Sequence, residues 1–149
     1  MKRSASAQWQ GNLKEGSGDL STESGILSHA PYSYNTRFEN EAGTNPEELI
    51  AAAHAGCFTM ALSSELSKLG FSPRSIRSEA SVLMEKIEAN WTITEIDLRV
   101  SAYVPGISDS QLRKIAEIAK SNCPVSRLLN AKISLNAQLA TESETPEAA

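Results

Sequence analysis

Two thiols carry the most distinctive chemistry in this chain. Cys57 and Cys123 are the only cysteines among 149 residues. Cys57 lies inside the run Leu49 to Leu62, which is nearly all small or apolar, and Cys123 directly precedes Pro124. Taken singly, a free cysteine is commonly just a small buried hydrophobe. Taken together, both fall in helical, core-directed stretches, and a helix–helix contact would let them meet. One thiolate could then attack an oxidant while the other resolves the sulfenic acid as a disulfide. The residues leave open which one attacks. A thiol at a helix N-terminus has its pKa lowered, which favours Cys123. Apolar surroundings raise that of Cys57 unless a cation sits beside it.

Arg37, just ahead of the Cys57 segment, is the leading candidate for that cation, with Arg74, Arg77 and Arg127 as alternatives. The competing reading of Arg37 is a solvated strand arginine. A guanidinium stabilises a thiolate, and a carboxylate orients the guanidinium. Glu47 and Glu48 are candidates for that carboxylate, although both also suit the first turn of a helix, where the dipole favours acids. Glu47 and Cys57 stand ten residues apart, about 15 Å along a straight helix, so they cannot touch directly. A bend, or an arginine reaching in from another element, would have to connect them. His54 precedes Cys57 by three residues and shares its helix face. It reads as a base, a hydrogen-bond donor, or a core histidine bonded to a backbone carbonyl. A zinc site built from Cys57, Cys123, His54 and a glutamate competes, but the chain has no C-x-x-C and no H-x-x-x-H. Nor does it have a phosphate loop, a nucleophile elbow or a dinucleotide fingerprint.

The elements that must position these groups follow from local patterns. Asn45 fits an N-cap before Pro46 at the first helical position, followed by Glu47 and Glu48. The helix should run to about Leu69 and close at Gly70. Its apolar run has no face built for water, which predicts a helix buried all round. That run, fourteen residues long, is too short to span a bilayer. Ahead of it, Ser6 to Gly11 and Gly18 to Ser24 read as two weak strands around a turn. The alternation of Tyr32, Tyr34, Thr36 and Phe38 with polar residues suggests a third. After it, Ile76 to Glu88 and Trp91 to Val104 read as a hairpin linked at Ala89-Asn90. In its second strand Ile96, Leu98, Val100, Ala102 and Val104 face one way. Ser108 to Gln111 is a capping box opening a second helix. Pro124 restarts a short helix through Leu129, with Cys123 near its N-cap. Ile133 to Leu139 alternates as a last strand. This order predicts an α+β fold with an antiparallel sheet, a long central helix and a second helix pair. Residues 1–140 are expected to form one domain and residues 141–149 a disordered acidic tail.

Composition narrows the function. Net charge is −4 and aromatics make up 5%, with no basic stripe, which disfavours nucleic-acid binding. Met1 to Gln10 is polar and lacks a signal-peptide core. A cytoplasmic protein away from membranes is expected, in which a disulfide would be catalytic or redox-sensing rather than structural.

The motifs Asn35 to Glu39 (N-T-R-F-E), Gly43 to Phe58 (G-T-N-P-E-E-L-I-A-A-A-H-A-G-C-F), Val104 to Ile107 (V-P-G-I) and Asn122 to Ser126 (N-C-P-V-S) give the chain its likeness. It resembles the OsmC/Ohr family of organic hydroperoxide reductases, the OsmC branch more than the Ohr branch. The resemblance implies an OsmC-like fold and a thiol peroxidase acting on organic hydroperoxides, and on hydrogen peroxide more slowly, in protection against oxidative stress. It implies that Cys57 attacks the peroxide, that Cys123 resolves it as an intramolecular disulfide, that Arg37 holds the thiolate and that Glu47 anchors Arg37. On the attacking residue it runs against the helix-terminus argument. It further implies an intertwined homodimer, no cofactor and no metal, and a thiol reductant such as lipoylated proteins. The competing expectation is a non-enzymatic, stress-induced dimer that binds an apolar ligand and uses its thiols structurally.

Overall fold

The computed structural model describes residues 1–141. Apart from Thr141, the expected acidic tail lies outside the described residues. The chain divides into two compact units, Met1–Leu49 and Ile50–Ala149.

The first unit holds a three-stranded antiparallel sheet in the order β1 (Ala5–Gln10), β2 (Ser17–Thr22), β3 (Ala30–Ser33). The β1–β2 turn is closed by Asn12, whose side-chain oxygen accepts the N–H groups of Lys14 and Glu15. Asparagine is favoured in turns for this bonding to nearby backbone. Two of the three expected strands stand, but the alternation from Tyr32 to Glu39 misleads. Tyr34–Phe38 is a short helix, α1. Ser33 starts it through a capping box: its hydroxyl accepts the Thr36 N–H, and Thr36 Oγ1 accepts the Ser33 N–H. These bonds satisfy donors that a strand would have sent to a neighbour. Tyr34 and Phe38, taken as strand neighbours, instead stack one helical turn apart with ring centroids at 4.7 Å.

Helix α2 (Pro46–Lys68) opens in the first unit and continues through the second. Its start is as expected, with Asn45 Oδ1 accepting the Glu48 N–H at 2.8 Å. Its end is also local. Gly70 takes φ +81°, while the Phe71 N–H reaches the Leu66 carbonyl and the Gly70 N–H reaches that of Ser67. That pair of bonds is the Schellman closure, which places a left-handed residue just past the helix. The expectation of burial all round does not hold. One stripe at four-residue spacing, His54, Phe58, Leu62 and Leu66, is buried, while Met60 on another face is 75% exposed.

At 23 residues, with an 18-residue window of mean hydropathy 1.3, α2 is long and apolar enough to cross a bilayer by length and composition. Its first and last turns are charged, however, and its buried stripe packs on the chain's own core. That is the pattern of a core helix.

The second unit continues with β4 (Ser75–Ile87), β5 (Asn90–Tyr103), α3 (Asp109–Asn122), α4 (Pro124–Leu128) and β6 (Lys132–Leu139). β4 and β5 form the long hairpin, turning at Glu88-Ala89 with Glu88 at φ 55°. The predicted inward face of β5 is buried throughout, from Ile96 to Val104. β6 departs from expectation. It pairs with β5 in parallel, so this sheet is mixed, in the order β4-β5-β6. A parallel neighbour requires a crossover connection, which α3 and α4 supply. The core joins Phe58, Leu62 and Leu66 of α2 to Leu98, Val100 and Ala102 of β5 and to Leu112, Ile115 and Ala119 of α3. Each large apolar side chain removed from water here contributes about 1.5–3 kcal/mol. Cys123 belongs to the same cluster.

Candidate active site

In the first unit the structure pairs two of the four expected residues. Arg37, on α1, meets Glu47, in the first turn of α2, through a two-pronged bond. Nε lies 3.1 Å from Oε2 and Nη2 lies 2.6 Å from Oε1. The fork geometry is specific to arginine and fixes the guanidinium plane. Its position is set by polar hooks around Thr36, the one buried residue of this unit. Thr36 Oγ1 donates to the Thr44 carbonyl at 2.8 Å, and Asn45 Nδ2 donates to the Thr36 carbonyl at 3.2 Å. Gly43 makes the approach possible. A Cβ there would lie 2.6 Å from Thr36 Cγ2 and 2.9 Å from the Pro31 carbonyl oxygen, and its φ of +150° suits glycine. Arg37 also lines an apolar cleft of about 270 Å³ with Trp9, Leu13, Tyr32, Tyr34 and Phe38. It is therefore an exposed but oriented helix residue and not a strand arginine. Of the alternatives, Arg77 pairs with Glu79 and Arg74 stands over the Tyr103 ring.

In the second unit the structure brings the two thiols together. The Sγ atoms of Cys57 and Cys123 lie 3.2 Å apart in an S–H···S hydrogen bond, both as free thiols. Forming a disulfide requires the sulfurs to approach by only about 1.2 Å. Two side-chain bonds bracket the pair. Asn122 donates to Glu65 Oε1 at 3.1 Å, beyond Cys57 along α2, and Ser126 bonds His54 Nε2 at 2.8 Å, before it. Residues flanking Cys123 are thus tied to residues flanking Cys57.

The thiols differ in access and in acidity. Cys57 is half-buried and lines an open cleft of about 490 Å³ with Met60, Ala61, Lys68, Asn122 and Pro124. Cys123 is fully buried. Burial pushes the Cys57 thiol up; the Val125 N–H opposes this, and bonding to Cys123 adds to it. Burial acts on Cys123 in the same direction, but there it is outweighed. The Ser126 N–H and hydroxyl, with the Cys57 thiol and the Val125 N–H, draw Cys123 below its ordinary value. Within this unit Cys123 is the more acidic thiol and Cys57 the more accessible.

His54 is not bonded to a backbone carbonyl. It is fully buried against the Ser126 hydroxyl, and burial lowers its pKa from 6.5. Ser126 and the Glu65–Asn122 bond escaped the sequence reading. The signal for Ser126 was its place in the N-C-P-V-S run, three residues after Cys123. The signal for Glu65 was an acid three residues beyond the apolar run Leu49 to Leu62. Among the described residues, no group of three or more His, Cys, Asp or Glu converges as a metal site would.

Comparison with known proteins shows the family of the chain. The model of the OsmC-like protein family matches residues 38–138. Peroxiredoxin OsmC of Escherichia coli (strain K12) is 53% identical over 133 residues, covering 89% of this chain and 93% of that protein. An organic hydroperoxide resistance protein of Xanthomonas axonopodis pv. citri (strain 306) is 32% identical over 100 residues, covering 66% and 68% respectively. A solved OsmC-like protein of unknown function from Vibrio cholerae shares the fold with a TM-score of 0.73 at 19% identity, covering 92% of this chain and 99% of that one. The two bracketed thiols, the forked Arg37–Glu47 pair and the mixed sheet on which α2 packs therefore belong to a member of the OsmC-like family.

Proposed function

We propose that this protein is a thiol peroxidase that reduces organic hydroperoxides, and hydrogen peroxide more slowly. The observation that carries the reading is the pair of free thiols 3.2 Å apart, one half-open and one buried. The Cys57 thiolate attacks the distal peroxide oxygen, the O–O bond breaks, Cys57 becomes sulfenic acid, and the leaving alkoxide takes up from solvent the proton Cys57 released on ionising, giving the alcohol. Cys123 then attacks the Cys57 sulfur, the S–O bond breaks, and the disulfide closes with release of water. Access favours Cys57 as the attacker, because a peroxide reaches the half-buried thiol before the sealed one. Its ionisation needs a cation, since burial raises it. Arg37, oriented by Glu47, supplies that charge in this reading. Apolar clefts at Cys57 and at Arg37 suit alkyl or lipid chains.

Residues 1–140 act as one functional domain in this reading, supported by a family match that runs across the boundary between the two units. The protein works in the cytoplasm as a homodimer. A second copy covers the exposed α2 face around Met60 and gives the first unit the apolar burial it lacks. Dihydrolipoyl groups on proteins regenerate the dithiol.

The test is mass spectrometry after one equivalent of cumene hydroperoxide. Loss of two hydrogens linking Cys57 to Cys123 is expected, as is turnover with dihydrolipoamide. Cys57→Ser retaining full turnover would sink the reading. A thiol count unchanged by peroxide would favour a non-enzymatic ligand-binding role. Sedimentation at micromolar concentration checks the dimer.

A further inference from the structure

The reaction as proposed leaves His54 without a task, yet it is the one buried polar side chain among the described residues of the second unit. Nε2 lies 2.8 Å from Ser126 Oγ, and Nδ1 is buried without a hydrogen-bond partner. A buried ring nitrogen left unpaired costs desolvation free energy that a leucine in the same place would not. A second side-chain bond stands further along α2. Glu65 Oε1 accepts Asn122 Nδ2 at 3.1 Å and is braced by Lys68 Nζ at 2.8 Å. The two bonds run from residues on either side of Cys57 to residues on either side of Cys123.

The segment they hold has little else to fix its place. Cys123 joins α3 to α4 in extended backbone, at φ −63° and ψ 119°. Helix α4 is five residues long, has no side-chain cap and buries none of its residues. Its Val125 packs only in part against the core. Apolar burial is non-directional, so it draws the Cys123 side chain inward without setting where along α2 the sulfur lies. The hydrogen bonds set that. Asn122 meets Glu65 and Ser126 meets His54, so the segment runs antiparallel to α2. One bond alone would leave it free to pivot. Two bonds, anchored eleven residues apart on α2 and about 16 Å apart along its axis, fix direction and register together. Register matters because the closing distance is short. The sulfurs stand 3.2 Å apart and must approach by about 1.2 Å. A slip of one residue along α2 is about 1.5 Å, more than the whole approach.

We infer that His54 and Glu65 are positioning residues for disulfide closure: through Ser126 and Asn122 they lay the Cys123 segment along α2 at the register that sets Cys123 against Cys57. The inference rests on the assignment of Cys123 as resolving thiol. In that step the Cys123 thiolate gives its electron pair to the sulfenic sulfur of Cys57. The S–S bond forms, the S–O bond breaks, and the leaving hydroxide takes up from solvent the proton that Cys123 released on ionising. The Cys123 sulfur is oxidised and the sulfenic sulfur reduced by one electron equivalent each. The side chains of the two bonds exchange no proton.

Single-turnover mixing with cumene hydroperoxide separates the two chemical steps, with sulfenate formation followed by dimedone trapping and closure by quenched mass spectrometry. Ser126→Ala and His54→Leu should each slow closure about tenfold, the scale of one lost hydrogen bond, and leave sulfenate formation within about twofold. Together they should be no slower than the slower single variant, because either one already removes the bond. His54→Gln, which keeps a polar group near the Nε2 position, should restore most of the rate. Ser126→Ala, at a half-buried residue, carries the test should His54→Leu fail to fold. Closure at the wild-type rate in Ser126→Ala, additive losses, or equal slowing of both steps would overturn the inference.

A second readout needs no peroxide. The protein is equilibrated without oxygen against oxidised and reduced dithiothreitol, and the Cys57–Cys123 disulfide is quantified by mass spectrometry. Thiols held in register have the higher effective concentration. Ser126→Ala should lower the exchange equilibrium constant about tenfold, and Asn122→Ala, at the exposed bond, about threefold. The two combined should fall below either. An unchanged constant in Ser126→Ala, or no further loss on combination, would overturn the inference. Wild-type protein whose sulfenate is never resolved by Cys123, while these constants fall as expected, would fault the peroxidase reading and leave the positioning in place.

Discussion

The two halves of the proposed chemistry stand on two different kinds of scaffold. Among residues 1–49 only Thr36 is buried, and the forked Arg37–Glu47 pair is placed by hydrogen bonds among Ser33, Thr36, Thr44 and Asn45. The buried apolar side chains, from Phe58 to Ala137, all belong to the second unit, and Cys123 is one of them. A polar scaffold specifies direction well but contributes little stability, because each bond replaces one made to water. An apolar core contributes the stability and fixes distance. The sulfurs, which must close a bond of about 2 Å, sit where packing controls distance. The guanidinium, whose task is orientation, sits where hydrogen bonds control direction.

Truncating the core tests this contrast with the largest expected effect. Phe58→Ala, at a fully buried position one residue from Cys57, should lower unfolding stability by about 3–5 kcal/mol. It should also slow disulfide closure, because the sulfurs lose their enforced approach. Urea denaturation that finds less than about 1 kcal/mol would break the claim that this unit holds the stability.

Arg37→Leu asks the opposite question. The rate constant for sulfenate formation should fall about 100-fold, the scale of a removed charge-stabilising donor. Unfolding stability should change by no more than about 1 kcal/mol, since the pair is partly exposed. Stopped-flow peroxide consumption measures the first and urea titration the second. Unchanged reactivity would remove Arg37 from the chemistry.

The pH dependence of stability sharpens the description of the buried side. His54 in the fold takes its proton at lower pH than the ordinary 6.5, so between those two values the unfolded chain binds more protons. Stability from this residue is therefore fully present above about pH 6.5 and is lost as pH falls below it, by at most about 1.4 kcal/mol per pH unit. His54→Gln should flatten that slope between pH 7 and pH 5 in parallel urea titrations. Identical slopes would mean that His54 titrates as it does in water. The smallest effect belongs to the polar scaffold. Ser33→Ala removes the cap of α1 and should cost about 1 kcal/mol, with peroxide reactivity falling as Arg37 loses its seat and disulfide closure unchanged.

Much of this molecule follows from short-range rules. The Asn45-Pro46 start and Gly70 end of α2 and the capping box at Ser108 rest on contacts within a few residues, the inward face of β5 on a local alternation, and each stands as read. Cys57, Cys123, Arg37 and Glu47 were singled out by residue type and motif. What the sequence could not settle involves partners distant along the chain. Tyr34 to Phe38 alternates like a strand, but the Ser33–Thr36 capping box and the Thr36–Thr44 bond hold it as a helix. β6 alternates as expected, yet nothing in alternation says that it lies parallel to β5. The apolar run of α2 looked buried on every side because hydropathy records what a surface tolerates and not what covers it.

The sequence by itself determined which groups are available: two thiols, an arginine, a glutamate and a histidine, all but the arginine on an element that local pattern also announced. Tertiary structure alone decided their relationships. It set the thiols 3.2 Å apart although 66 positions separate them in the chain, and joined His54 to Ser126 across 72. Element formation is a local free-energy balance that a window of residues contains. A sulfur–sulfur distance depends on how α2, α3 and α4 pack on one core, and no window contains that.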